Sequence, residues 1–437
     1  MAQHAESINP TLEYLGGIQV GEVDQEVWTD GLKNAGMNTV EVTVYARQGD
    51  WDSDEIWFDE TDEGALNQIR SAKKANLKVV LILRVALDHA YERNKFLWHG
   101  MIMPKSKSEI KNWFNKYREF VLKWALIGEQ EGVDVIAIGS EMNALTSTRQ
   151  IEELSEYQEY MLSDSAQHSM EDRALKYKNE LGNKLWVQGY SSYDSIALLI
   201  NDKIEANVAW AAQTYYRDSE KQIILINKQR KQLQKQWKKL IKKTRKDFSG
   251  KLTYAANFDN YFDVGFWDNL DFIGINAYFS LRGTESQYTD TSELTQVLSK
   301  GWKNVFHQVD SFQLEVGISE MPIFFTELGY TKYANSSLEP WSGFGYSIVG
   351  KGAHEKIIVW NQQPTALEER ACALKALNQV VTEQSTNLQG ILYWKLTTMT
   401  SHVAIEPFAI QLNSDSTDPG YWELQNFTKD RRESADK

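Results

Sequence analysis

The sequence predicts an α/β fold, a (β/α)8 or TIM barrel, with a long insertion after its fourth strand. Three observations predict it. Eight short apolar runs recur along the 437 residues, and stretches of helical periodicity separate them. No glycine-rich phosphate loop follows the first run; Gly16, Gly17 and Gly21 lack that spacing. A doubly wound open sheet, the alternative for such alternation, usually carries such a loop.

The runs are Tyr14–Gln19, Thr39–Tyr45, Lys78–Val85, Asp134–Ser140, Leu252–Asn257, Phe272–Tyr278, Ile323–Thr326 and Gly390–Trp394. Most are near-continuous in apolar residues, as strands buried on both faces are. After the third run, Ser106 and Glu109 predict a capping box. The helix it opens carries Trp113, Tyr117, Phe120, Val121 and Trp124 on one face and should stop near Gly132. A second box, Thr365 with Glu368, predicts a helix bearing Leu367, Leu374, Leu377 and Val381. Between the fourth and fifth runs the rhythm breaks. Residues 144–227 are far more chain than a strand-to-helix connection needs. The expected organisation is one catalytic barrel over 12–437, with 144–227 forming a lid or cleft wall. A subdomain on the barrel side is the alternative. The basic stretch Lys228–Lys246 then places Leu233, Trp237, Leu240, Ile241 and Thr244 on one face. Its aromatic residue lies on the apolar side, so its lysines predict a solvated helix face.

Composition narrows the function. A net charge of −13 argues against nucleic acid or an anionic membrane as partner. A single cysteine, Cys372, excludes an intrachain disulfide and a cysteine-based zinc site, and its neighbours predict core packing. The acidic clusters at 50–55 and 59–63 lack the spacing of a calcium loop, so neither metal nor cofactor is expected. No apolar run reaches the length of a membrane span. The polar start is no signal peptide. The expected location is secreted or periplasmic if a signal peptide has been trimmed, and cytoplasmic otherwise. The oligomeric state is left open. The 15 Trp, 20 Tyr and 17 Phe are more than a core requires, and aromatic faces stack on sugar C–H faces.

Two glutamates end apolar runs. Glu141 closes the fourth, and Glu327 closes the seventh. The C-terminal edge of barrel strands is where chemistry sits. Strands four and seven face each other across the mouth. A carboxylate pair about 5–5.5 Å apart is what retaining glycoside hydrolysis requires.

Five segments, in order, carry a resemblance. They are Trp98-His99-Gly100-Met101-Ile102-Met103-Pro104, the run from Val133 to Glu141, Leu252 to Asn257, Phe266 to Tyr278, and Phe325-Thr326-Glu327-Leu328-Gly329-Tyr330. Together they resemble the clan A retaining glycoside hydrolases, and most of all glycoside hydrolase family 113, a β-1,4-mannanase family. The resemblance spans about residues 15–400 without the insertion. It implies Glu141 as acid/base and Glu327 as nucleophile, with no cofactor and an oligo- or polysaccharide substrate, β-1,4-mannan or mannooligosaccharides first. A β-glucanase, a transglycosylase or a non-catalytic glycan-binding barrel are the alternatives. It also implies that Tyr278 hydrogen-bonds the nucleophile and that Trp394 floors the sugar site. Further substrate-binding candidates are Trp98, His99, Asn257, Tyr330 and Trp341, with Arg47 and His89 just beyond strands two and three. Ser140 precedes Glu141 where many clan members place Asn, so a contact to the substrate 2-hydroxyl must come from elsewhere. His99 stands where the family pattern has Arg, and Lys395 follows Trp394 where many relatives carry an acid.

Overall fold

The parallel barrel strands are β1 (Tyr14–Gln19), β2 (Thr39–Gln48), β3 (Lys78–Leu87), β4 (Val135–Ser140), β5 (Lys251–Asn257), β6 (Ile273–Asn276), β7 (Ile323–Leu328) and β8 (Leu388–Thr397). The structure, a computed structural model, describes residues 12–59, 62–154, 186–187, 206, 210, 220–283, 286–341, 346–349, 356–359, 364–384 and 386–435. Each strand pairs in parallel with the next, and β8 returns to β1, so the sheet closes into the expected barrel. The seam depends on one residue. A Cβ on Gly16 would lie 1.7 Å from the Thr39 carbonyl oxygen, so glycine alone lets β1 approach β2.

Seven longer helices surround the sheet among the described residues: α1 (Gln25–Asn34), α2 (Asp62–Lys74), α3 (Lys107–Glu131), α4 (Glu220–Asp247), α5 (Thr291–Val316), α6 (Leu367–Gln384) and α7 (Pro419–Ala435). Helix α3 begins at the Ser106 cap that its sequence predicts, with the Ser106 half of the expected box formed and the return bond from Glu109 not. The Glu109 amide donates to Ser106 Oγ at 3.2 Å, and Gly132 ends the helix at φ 70°. Its apolar face, with Trp113, Tyr117 and Trp124, is fully buried.

The start of α6 differs from expectation. Thr365 does not cap it: its backbone forms a bridge with Tyr333, and the helix begins at Leu367. A tertiary contact has taken the residue that local sequence offered as a cap. Helix α4 also starts early, at Glu220, which shortens the interval after β4. Most of the expected lid over 144–227 lies outside the described residues. Its beginning is tied to the barrel. The amides of Thr148 and Arg149 donate to the Asp263 carbonyl at 3.0 and 3.1 Å, and buried Arg230 pairs with the Asp263 carboxylate at 2.5 Å. A small antiparallel sheet joins Tyr346–Val349, Lys356–Val359 and Trp186–Val187, so chain following β7 pairs with chain following β4.

Strand alternation sorts the core into two. One set of residues, including Val80, Ile82, Phe272, Phe324 and Leu392, forms a separate buried cluster inside the barrel. Tyr14 stacks there on Phe324, with ring centroids 5.2 Å apart. The other set faces the helices in a continuous shell. Inside the barrel the apolar filling gives way, towards the C-terminal strand ends, to Glu41, Arg84, Ser140, Asn276 and Glu327, all buried.

Candidate active site

Alternation places the first of these groups. On β2, Val40, Val42 and Val44 join the outer core, so Glu41 points inward; on β3, Arg84 continues the inward row of Val80 and Ile82. The two glutamates need more than alternation. Phe325 pairs with Ile275, but the next pair is Glu327 with Asn276, so β7 carries an extra residue at Thr326. β4 slips against β5 between Ala137 and Ser140. Such bulges re-aim side chains at barrel rims. Glu141 follows at φ 50°, a left-handed conformation rare outside glycine, and its amide donates to the Ala255 carbonyl at 2.8 Å. Residues held so cluster at functional sites.

Both carboxylates have specific partners. The Tyr278 hydroxyl donates to Glu327 Oε2 at 2.7 Å. The Arg84 guanidinium pairs with Glu327 Oε1 and donates to Ser140 Oγ at 2.9 Å. His99 Nε2 lies 3.0 Å from Glu141 Oε2. Trp98 meets the His99 ring edge-on at 5.0 Å. Trp394 lies under the Arg84 guanidinium at 5.5 Å, and the Trp394–Lys395 peptide is cis. Lys395 pairs with Glu406 at 2.8 Å.

The other sequence candidates spread out. Asn257 ends β5 and is half-buried. Trp341 is 42% exposed and stacks on Phe258 at 5.0 Å with 17° between planes, which leaves a flat aromatic surface open to solvent. Arg47 is half-buried near the end of β2, and His89 is half-buried just past β3. Tyr330 is the exception: it is fully buried in the outer core, so it offers no face to a sugar.

Sequence reasoning assigned no role to Arg84, Glu41, Asn276 or Asp259. The first two had a visible signal, a charge inside an otherwise apolar strand run. Glu41 is fully buried with Oε1 3.3 Å from the Thr43 hydroxyl and Oε2 unpartnered. Burial and the Glu327 charge push its carboxyl well above the usual range. Asp259 is half-buried beyond β5 and accepts from Asn143 Nδ2 at 3.3 Å; burial and the Glu141 charge push it up to about 6.

The two central glutamates feel each other. Burial raises Glu327, with the charge of Glu141 adding to the rise; Arg84 and the Tyr278 hydrogen bond oppose it. Arg84 is held more firmly charged than a free arginine: burial works against its charge, and Glu327 and Glu141 more than compensate. With that cation in direct contact, the ionised form of Glu327 is the one whose hydrogen bonds are met. Burial also raises Glu141, but the His99 hydrogen bond and the Arg84 charge outweigh it and bring the group down to about 2. Among the described residues, no cluster of three His, Cys, Asp or Glu side chains could hold a metal ion. What the arrangement offers is two carboxyls that feel each other's charge, one bound by two donors and the other by a histidine. Aromatic surfaces lie nearby.

Comparison with known proteins gives a consistent picture. The model of Glycoside Hydrolase Family 113 matches residues 22–156 and 219–363. No curated protein matches the chain. Among solved structures, the chain is similar to the GH113 β-mannanase AaManA from Alicyclobacillus acidocaldarius, in complex with ManMIm. That match has 15% identity, covers 96% of this chain and 97% of the other, and has a TM-score of 0.57. A complex of a GH113 β-1,4-mannanase matches at 15% identity over 96% and 99% of the two chains, with a TM-score of 0.56.

Proposed function

Because this chain belongs to glycoside hydrolase family 113, it is a β-mannanase-like glycoside hydrolase, and we propose that it cleaves β-1,4-mannan or mannooligosaccharides by a retaining double displacement. The observation that carries the mechanism is the asymmetry between the carboxylates. Glu327 receives the Tyr278 hydroxyl and the Arg84 guanidinium, as a nucleophile that must be ionised requires. Glu141 has one oxygen on His99.

In the first step Glu327 attacks the anomeric carbon. The glycosidic C–O bond breaks, and its electron pair goes to the leaving oxygen, which takes the Glu141 proton. In the second step Glu141 draws a proton from water, and the water oxygen displaces Glu327 from the sugar. Without substrate, His99 and Arg84 hold Glu141 ionised. It takes up its proton as the sugar enters and excludes water, since desolvation disfavours the charged form. Trp394 serves as the floor of the sugar site. Trp98 and the open face of Trp341 offer further stacking surfaces.

Mannan as substrate is supported by the family and by the mannanases among the structural matches. Product analysis after incubation with mannan, glucomannan, β-glucan and short oligosaccharides tests it. Release of mannooligosaccharides is expected; release from β-glucan alone would replace mannan with glucan. Glu327→Gln should abolish turnover with an unchanged circular dichroism spectrum, and near-wild-type hydrolysis by that variant would remove the nucleophile assignment. Glu141→Ala should slow substrates with poor leaving groups about 100-fold or more, spare activated aryl glycosides, and regain rate with azide.

A further inference from the structure

Asn276 closes β6, directly between the strands that deliver the two ends of the site. It is fully buried and stands in register with Asn257 of β5 on one side and Glu327 of β7 on the other. The Thr326 hydroxyl, on the extra residue of the β7 bulge, donates to Asn276 Oδ1 at 2.8 Å. That bond fixes which way the amide faces. The reverse orientation would turn a carbonyl oxygen towards the Glu141 carboxylate, two acceptors without a proton between them. As it stands, Nδ2 is a buried donor with no formed hydrogen bond. It lies close enough to Glu141 for the Asn276 side chain to help pull that carboxyl down. A buried donor left open in a site is a feature that asks for a partner.

On the reading of Glu141 as acid/base, we propose that Asn276 is a positioning residue that couples the nucleophile strand to Glu141 and donates to the carboxylate left when the Glu141 proton passes to the leaving oxygen. Before the step Glu141 is a neutral acid and a weak acceptor. Once the proton has moved, it carries a full charge and the hydrogen bond from Nδ2 closes. The interaction is stronger after proton transfer than before it, which is the condition for assisting the step. Ser140, the residue ahead of the acid/base, accepts from Arg84 with its hydroxyl oxygen and so belongs to the nucleophile's cation.

The groups that act electrostatically with Glu141 come from several elements. They are Arg84 on β3, His99 beyond β3, Tyr254 on β5, Asp259 beyond β5, Tyr278 beyond β6 and Glu327 on β7. Arg84 is shared with Glu327, and His99 approaches Glu141 Oε2. Asn276 is the neutral donor that reaches Glu141 from the nucleophile's side.

The test is a set of pH profiles of kcat/KM for Asn276→Ala, Thr326→Val and Glu141→Ala, each on one aryl β-mannoside with a poor leaving group and one with an activated leaving group. Without its donor, Glu141 should keep its proton to higher pH, so the alkaline limb of Asn276→Ala should move up. Its rate on the poor leaving group should fall about 10-fold, and on the activated one by less than about 3-fold. Thr326→Val, which frees the amide, should shift the limb the same way by less, and it serves if Asn276→Ala fails to fold. A loss of rate equal for both substrates with an unmoved limb would make Asn276 merely structural and overturn the proposal. Glu141→Ala separates the two failures. If it keeps the wild-type alkaline limb, the acid/base assignment itself is wrong. If it loses that limb while the limbs of both other variants stay at the wild-type value, the role of Asn276 alone is wrong.

Discussion

His99 and Arg84 set the protonation of Glu141, and only one of them belongs to Glu141 alone. Arg84 also pairs with Glu327, so changing it disturbs both carboxylates. His99 can be removed separately. It lowers the Glu141 carboxyl both by its hydrogen bond and by its charge. His99→Ala removes both causes, so Glu141 should hold its proton to higher pH and the alkaline limb of the pH–rate profile should rise. A downward shift would show that His99 helps to supply the proton instead. Legibility at this scale was uneven. Glu141 and Glu327 were found from their places at strand ends, and Tyr278 from the family pattern; the structure brings all three to one site. Arg84 and Glu41 were passed over although each is a charge within an apolar run, a pattern that buried strands show only when the charge has a task or a partner. The family resemblance offers Tyr330 to the substrate, but the structure buries it in the outer core.

At the scale of elements, local chemistry wrote the helix ends more reliably than the strand details. Ser106 caps α3 because a hydroxyl three residues ahead of an amide satisfies a donor that no helical carbonyl can reach. Ser106→Ala should cost about 1 kcal/mol, read as a lower denaturation midpoint with an unchanged slope. Thr365 offered the same signal and lost it to the bridge with Tyr333. The bulges in β4 and β7 have no local signal at all. Each is a register choice between neighbouring strands, and one residue of slip exchanges the inward and outward faces. These two slips, rather than the strand sequences, bring Glu141 and Glu327 to the mouth.

For the molecule as a whole, the barrel is held by layers that the strand runs foretold and by a few buried polar ties that they did not. Arg370 on α6 is fully buried; it pairs with Asp418, just ahead of α7, and donates to the Ala409 carbonyl at 3.3 Å. Asp418→Ala would leave that cation buried and unpaired and should cost about 3–5 kcal/mol, seen in equilibrium unfolding, with KM unchanged at temperatures where the variant is folded. The sequence by itself determined the closed eight-stranded architecture, the family and the two carboxylates. Apolar periodicity, caps and strand-end positions are local properties, and a chain expresses them before it folds. Only the tertiary structure decided the Arg84 pairing with Glu327, the histidine on Glu141, the open donor of Asn276 and the burial of Tyr330. Each of these depends on register and on groups far apart in the chain, and their energies exist only once strands from opposite sides of the barrel share one small buried volume.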